Sequence, residues 1–295
     1  MSTAIARIAA VGGVAAMALC LGACSDASEY QPPPIITERP YAEVVPTGYD
    51  PATPTPLVVL LHGHGASGFL QSIYFGLGLL TETRTFLYAY PDGTADVDGQ
   101  LFWSATDACC GDEGRRVDDV AYVTAIIDDM SARYHVDPKR VYVVGHSNGG
   151  FMSYRMACDR APRIAAIVSL AGMTWNDPAR CAPSEPVAVL HVHGDQDAVV
   201  LYDGGELEGV PYPSAPASVA MWAGYNGCSS DLAATGATRD VDVKLAGAET
   251  EVAAHGGCRG GAVELWTIRG GSHLPNLQGD WAGTLLDWLL AHPKP

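Results

Sequence analysis

Basic residues are scarce in this chain: 17 Lys and Arg stand against 33 Asp and Glu, a formal net charge of −16. An acidic surface repels phosphate, which argues against nucleic acid or a bare anionic membrane as partner. The eight cysteines include no CxxC spacing, so a zinc site built on thiols is not expected. Internal repeats are absent, which excludes a solenoid. The apolar stretch at 8–21 is too short and too glycine-rich for a good transmembrane helix. What is present is 295 residues with 48% hydrophobic and 17% charged composition, suited to one globular α/β domain or at most two.

The N-terminus reads as a targeting segment. Arg7 supplies a positive charge ahead of the apolar stretch, which ends in Leu21-Gly22-Ala23-Cys24 and resembles a bacterial lipobox. The expectation is a signal peptide over 1–23, cleavage before Cys24, and lipid on its thiol and new amino group. Ser25 rather than Asp follows, which in a Gram-negative host implies outer-membrane sorting. The simpler alternative is an ordinary signal peptide cut nearby. Residues 24–38, with Pro32-Pro33-Pro34, read as a tether, leaving 39–295 as the folded domain. That domain keeps six cysteines, an even number that in an exported protein points to disulfides. The expected pairs are Cys158–Cys181 and Cys228–Cys258, with Cys109 and Cys110 a vicinal pair or free.

Strand-like runs recur at 57–61, 86–90, 141–144, 164–170, 187–193 and 263–268. Helical stretches fall between most of them, at 69–80, 118–134, 150–160, 215–225 and 281–291. Strands alternating with helices predict a mostly parallel sheet covered on both faces. Asp118 is placed to cap its helix, and Asp119 sits in the first turn, where negative charge suits the dipole. Residues 92–117 and 171–186 carry no clear element; loops this long read as cleft walls.

One short stretch carries the chemistry. VYVVGHSNGGFM, residues 141–152, has Gly145, Ser147 and Gly149 in the order G-x-S-x-G between a strand and a helix. In that context the serine sits on a sharp, strained turn as a nucleophile, and flanking glycines let strand and helix pass close. A serine needs a base, and the base an orienting acid, following it in the order Ser, acid, His. Asp195 and Asp197 both follow the 187–193 run; the G-x-x-D-x-x-V spacing favours Asp197, leaving Asp195 to bind backbone amides. His273 lies on the glycine-containing loop after the last strand, where the base belongs. His62-Gly63-His64-Gly65 follows the 57–61 run, so the backbone N–H of His64 and of Asn148 are the expected oxyanion donors. His135 and His292 read as surface residues and His255 as part of a polar loop. The His62/His64 and His191/His193 pairs invite a metal reading, but nothing fixes a third ligand. No metal or cofactor is expected.

With those residues in view, the chain resembles the exported esterases that include polyhydroxybutyrate depolymerases, feruloyl esterases and LpqC-like lipoproteins. The likeness runs from Arg39 to about Trp288. It rests on Arg39-Pro40-Tyr41, Val45-Pro46-Thr47-Gly48-Tyr49-Asp50, LVVLLHGHG, Phe102-Trp103 before Cys109-Cys110-Gly111, and Val117-Asp118-Asp119-Val120. GHSNGGFM, SLAG, HVHGDQDAVV, Tyr202-Asp203-Gly204-Gly205, Trp222 before Asn226-Gly227-Cys228, and LWTIRGGSH complete it. The resemblance implies an α/β-hydrolase fold and cofactor-free hydrolysis of carboxylic esters. Many such proteins continue the base loop as three glycines, His and a tryptophan before proline. Here Ser272 replaces the third glycine and Leu274-Pro275 follow the histidine, and no polymer-binding domain is expected after the catalytic one. Both features weaken a claim on crystalline polyester, so feruloyl or acetyl esters on polysaccharide stand beside hydroxybutyrate polyester or oligomers as expected substrates. The expected protein is a monomer, bound to membrane through its lipid alone. The alternative is a catalytically silent surface lipoprotein that uses the fold as a binding module. Trp103, Trp175 and Tyr202 are candidate walls of the acyl pocket, and Trp222, Trp266, Trp281 and Trp288 read as core.

Overall fold

The structure, a computed structural model, describes residues 30–110 and 117–295. The expected signal peptide and Cys24 lie outside the described residues.

Nine strands form one sheet: β1 (Ala42–Val44), β2 (Thr55–Leu61), β3 (Leu87–Tyr90), β4 (Val136–His146), β5 (Ala166–Leu170), β6 (Ala188–Gly194), β7 (Ala233–Arg239), β8 (Thr250–His255) and β9 (Val263–Ile268). Their order across the sheet is β1-β3-β2-β4-β5-β6-β9-β8-β7. The six central strands from β3 to β9 run parallel, while β1 at one edge and β8 and β7 at the other pair antiparallel. All seven residues of β2 are buried, as are all seven of β6, so these strands read as near-continuous apolar runs.

Alternate side chains divide the core in two. Leu57, Val59, Val141, Val143, Ile167 and Val189 point to one face, against helices α4 (Asp119–Arg133), α5 (Asn148–Asp159) and α6 (Ala215–Tyr225). Val58, Leu60, Val144, Val168, Leu190 and Trp266 point to the other, against α2 (Gly68–Phe75) and α7 (Trp281–Leu290). Trp222, Trp266, Trp281 and Trp288 are all core residues. The Asp118 carboxylate accepts the Ala121 N–H at 2.9 Å and caps α4. The Asp119 carboxylate instead turns outward from its helix to take the Ser104 N–H at 2.7 Å and the Arg39 guanidinium at 2.9 Å, tying a loop down.

Three expectations need correction. The folded body starts before Arg39: Pro33 and Pro34 preset φ for helix α1 (Pro34–Glu38), which buries Ile36 in the core, so 34–38 is not tether. The helix expected over 69–80 breaks at Gly76, whose φ of 71° ends α2 in a left-handed cap before a 3₁₀ turn at Leu77–Leu80 and helix α3 at Thr81–Arg84. His255 closes strand β8 rather than lying in a loop; β7 and β8 escaped the sequence reading because β7 is largely exposed and weakly patterned. The disulfides are Cys109–Cys110, Cys158–Cys181 and Cys228–Cys258.

Candidate active site

Strand β4 delivers Ser147 to the centre of the sheet's C-terminal edge. Four β-branched or aromatic residues carry the chain through the core, and the next turn must reverse into α5 within a few residues. Ser147 takes φ 53° and ψ −120°, a conformation non-glycine residues rarely adopt. The turn is possible only because its flanks are glycine: a Cβ on Gly145 would run into the Gly149 carbonyl, and one on Gly149 into the Leu61 carbonyl. The Ser147 N–H donates to the Leu170 carbonyl at 2.8 Å, and its carbonyl accepts the Phe151 N–H at 3.0 Å, so the strained residue is pinned on both sides.

The acid and the imidazole come from the ends of β6 and β9. His273 Nε2 lies 3.0 Å from Ser147 Oγ, and its Nδ1 lies 2.7 Å from Asp197 Oδ2. The other Asp197 oxygen accepts the N–H groups of Val199 and Val200 at 2.8 and 2.9 Å. Burial alone raises a carboxyl's proton affinity. Here hydrogen bonds from His193 and His273, with the His273 charge and the Val199 N–H, outweigh it and hold Asp197 well below the usual carboxylate range. Asp195 faces away from this cluster: it accepts the Gly270 N–H at 2.7 Å and meets Arg269 at 3.2 Å, bracing the loop that carries His273.

The turn after β2 runs beside the serine, since a Cβ on Gly63 would lie 3.4 Å from that of Ser147. Among the described residues the His64 N–H meets no acceptor, and Asn148, as the first residue of α5, has an N–H with no partner inside the helix. Neither N–H expected as an oxyanion donor has a protein acceptor among the described residues. The turn is braced by His62, whose Nε2 accepts the Gly93 N–H at 2.8 Å, and by Gln71, which accepts the Gly63 N–H at 3.1 Å. The His64 ring sits 3.4 Å from Asp96 and is half exposed. Among the described residues no three His, Cys, Asp or Glu side chains converge in a way that could hold a metal ion.

Two side-chain roles in the site escaped the sequence reading. The Asn148 side chain pairs with the backbone of Trp103 in both directions, at 2.7 and 2.9 Å, as a neighbouring strand would. His146 is buried behind the base and its Nε2–H donates to the His273 carbonyl at 2.9 Å. Burial, then the nearby His273 charge, lowers its pKa to about 4, so it stays neutral near neutral pH. The available signal was that both residues flank the serine in a run with no surface character.

A cavity of about 1410 Å³ opens beside the turn, with His64, Ser104, Thr106, Trp175, Arg180 and Val210 among its walls. Its walls come from described parts of residues 92–117 and 171–186 and from a hairpin (Gly205–Leu207 with Val210–Tyr212) that the sequence reading did not find. Trp175 lines it, with the guanidinium groups of Arg180 and Arg155 at 4.8 and 5.6 Å from its ring. Trp103 does not: it is fully buried, donates Nε1–H to the His62 carbonyl at 3.0 Å and stacks on Tyr122. Its indole N–H is a donor that burial obliges to find a partner, and it finds one beneath the loop. Tyr202 also lies off the cavity wall, its hydroxyl 2.9 Å from that of Thr267 and its ring edge-on to His193.

A mostly parallel sheet with helices on both faces, bearing serine, acid and histidine in that chain order after strands β4, β6 and β9, is the α/β-hydrolase architecture. The chain belongs to the Esterase PHB depolymerase family, whose model matches residues 40–260. It is 34% identical over 196 residues to feruloyl esterase B of Piromyces equi, covering 63% of this chain and 33% of that protein. Similarity to feruloyl esterase D of Neurospora crassa is 26% identity over 253 residues, covering 81% and 74%. The chain therefore spans about a third of the Piromyces protein's length. Among solved structures, an acetyl xylan esterase from Aspergillus awamori superposes with a TM-score of 0.56 at 17% identity, covering 84% of this chain and 92% of that one. Esterase PE8 does so with a TM-score of 0.56 at 16% identity, covering 85% and 98%. At those identities the structures speak for the fold.

Proposed function

We propose that this protein is an exported serine esterase that hydrolyses carboxylic esters through an acyl-enzyme. The observation that carries the reading is the unbroken chain of hydrogen bonds from Asp197 through His273 to Ser147, at 2.7 and 3.0 Å. His273 takes the Ser147 proton as Oγ attacks the ester carbonyl, and returns it to the departing alkoxide as the acyl-enzyme forms. Water, deprotonated by the same imidazole, then releases the acid. The N–H groups of His64 and Asn148 receive the charge on the tetrahedral oxygen; losing one such donor costs roughly 3–4 kcal/mol of transition-state stabilisation. Asp197, ionised at any working pH, holds the Nδ1–H tautomer of His273 and stabilises the imidazolium.

Export is supported by the Arg7-led apolar stretch and by three disulfides, and the Leu21–Cys24 pattern supports lipid attachment at Cys24. Relatives named feruloyl esterases and the acetyl xylan esterase neighbour support feruloyl or acetyl esters on polysaccharide as substrates. The family as a whole keeps hydroxybutyrate oligomers in the same set.

The test is fluorophosphonate labelling of the purified domain beside Ser147→Ala. It is followed by p-nitrophenyl acetate and butyrate, methyl ferulate, acetylated xylan and a hydroxybutyrate oligomer. Labelling and turnover should both vanish in a variant that still melts cooperatively. Turnover that survives in Ser147→Ala overturns the serine mechanism, and a folded wild type that never labels leaves a binding module.

A further inference from the structure

Strand β6 carries two histidines that the reaction does not use. Their side chains, and that of Tyr154 on α5, are completely buried. Tyr154 Oη lies 2.8 Å from His191 Nδ1, and His191 Nε2 lies 3.0 Å from His193 Nδ1. His193 Nε2 lies 2.8 Å from the Val200 carbonyl and 3.2 Å from Asp197 Oδ2. Three polar side chains in the middle of a core cost desolvation that apolar residues would avoid. What they do there follows from where the protons must be.

We propose that Tyr154, His191 and His193 form a one-directional hydrogen-bond relay ending between the Val200 carbonyl and Asp197, which makes His193 a positioning residue for the catalytic acid. This rests on the reading of Asp197 and His273 given above. The Val200 carbonyl and the Asp197 carboxylate only accept, so in the neutral ring the single proton of His193 sits on Nε2. Its Nδ1 is then a lone pair and takes Nε2–H from His191. The Nδ1 of His191 is in turn a lone pair and takes the Tyr154 O–H. With neutral rings, any other tautomer leaves two lone pairs or two N–H groups face to face. Burial drives the His191 proton affinity far down, and burial keeps the Tyr154 proton on its oxygen. The groups packed around the relay fit this assignment. The Trp222 ring faces Tyr154 and that of Tyr202 faces His193, each at 5.9 Å, while His273 and neutral His146 lie beyond Asp197.

The consequence is a saturated carboxylate. Asp197 Oδ2 receives the His273 N–H and shares the single His193 Nε2–H with the Val200 carbonyl, at 3.2 and 2.8 Å, while Oδ1 receives two backbone N–H groups. Its rotamer is therefore set from both sides, and its charge is shared among four donors. Without the His193 donor, Oδ2 presents its full charge to His273. The imidazolium is then held more tightly, and the acidic limb of the pH profile moves to higher pH.

Two readouts test this. In ¹⁵N spectra of the wild-type protein at pH 8, His191 and His193 should both be Nε2–H tautomers; an Nδ1–H tautomer or a doubly protonated ring in either overturns the relay. For His193→Phe, the acidic limb of kcat/KM on p-nitrophenyl acetate should rise by about half to one pH unit, with kcat down about tenfold and KM little changed. His193→Gln, whose amide offers an acceptor and a donor in the same order, should return the limb to the wild-type position. A folded His193→Phe with the wild-type limb overturns the positioning role. If His193→Phe does not fold, the tautomers and the Gln variant still decide. Failure of the serine reading appears separately, as lost fluorophosphonate labelling with the relay tautomers intact.

Discussion

Asp195 and Asp197 stand two residues apart on one turn, and their surroundings give them different work. Asp197 is buried against two imidazoles, whereas Asp195 braces the His273 loop through the Gly270 N–H and Arg269. Asp197→Asn leaves the cavity shape intact but offers His273 the wrong partner, so kcat should fall by about 10⁴-fold. Asp195→Asn keeps an acceptor for the Gly270 N–H and should cost about tenfold or less, through a looser loop. Steady-state kinetics on p-nitrophenyl acetate separate the two; the reverse ranking would move the acid to Asp195. At this scale Trp103 is instructive. Its place in a long loop suggested a ligand contact, but its one polar atom is spent on the His62 carbonyl.

At the scale of elements, the β4–α5 turn is where the chain has least room. Gly149 passes so close to the Leu61 and His62 carbonyls that a methyl group cannot be added without moving β2 or α5. Gly149→Ala should therefore destabilise the protein by about 3 kcal/mol or more, or prevent soluble expression. Gly283 in α7 is the opposite case, with nothing within 4 Å of an added Cβ. Gly283→Ala should stabilise by about 0.5–1 kcal/mol, because helix propensity is then the governing term. Thermal melts of the two variants read both signs, and a neutral Gly149→Ala would mean that the β4–α5 turn is not the close passage described.

At the scale of the whole molecule, buried histidines set the response to acid. Burial lowers the proton affinity of His62, His146 and His191, that of His146 to about 4. In the unfolded chain each takes its proton near the ordinary value of about 6.5. Between those values the unfolded state binds more protons than the folded one, so stability falls as pH drops from about 6.5 toward 4. His146 alone accounts for about 3 kcal/mol of that loss. Asp197, whose folded carboxyl is held below the usual range, adds stability that is present above about pH 4 and lost below it. Melting midpoints measured from pH 7 to pH 4 should fall steadily. A flat profile would mean that these rings are hydrated and not buried.

The apolar strands and their alternation with helices were legible in the chain, because buried parallel strands need continuous β-branched runs and the helices between them need one apolar face. Residues 215–225 form a helix with the boundaries their composition predicted. The order of Ser147, Asp197 and His273 was legible too, since each follows a strand and must fall at the same sheet edge. Strands β7 and β8 were not, because β7 is almost wholly exposed and β8 holds only one large apolar residue, Val252. Nor could composition reveal that residues 34–38 dock, that Trp103 turns inward, or that Asn148 pairs with a loop 45 residues away. Those facts depend on which groups burial leaves in need of a partner. Local pattern determined the elements and their sequence along the chain; only packing decided which polar atoms meet, because a hydrogen bond between distant residues leaves no period in the chain that makes it.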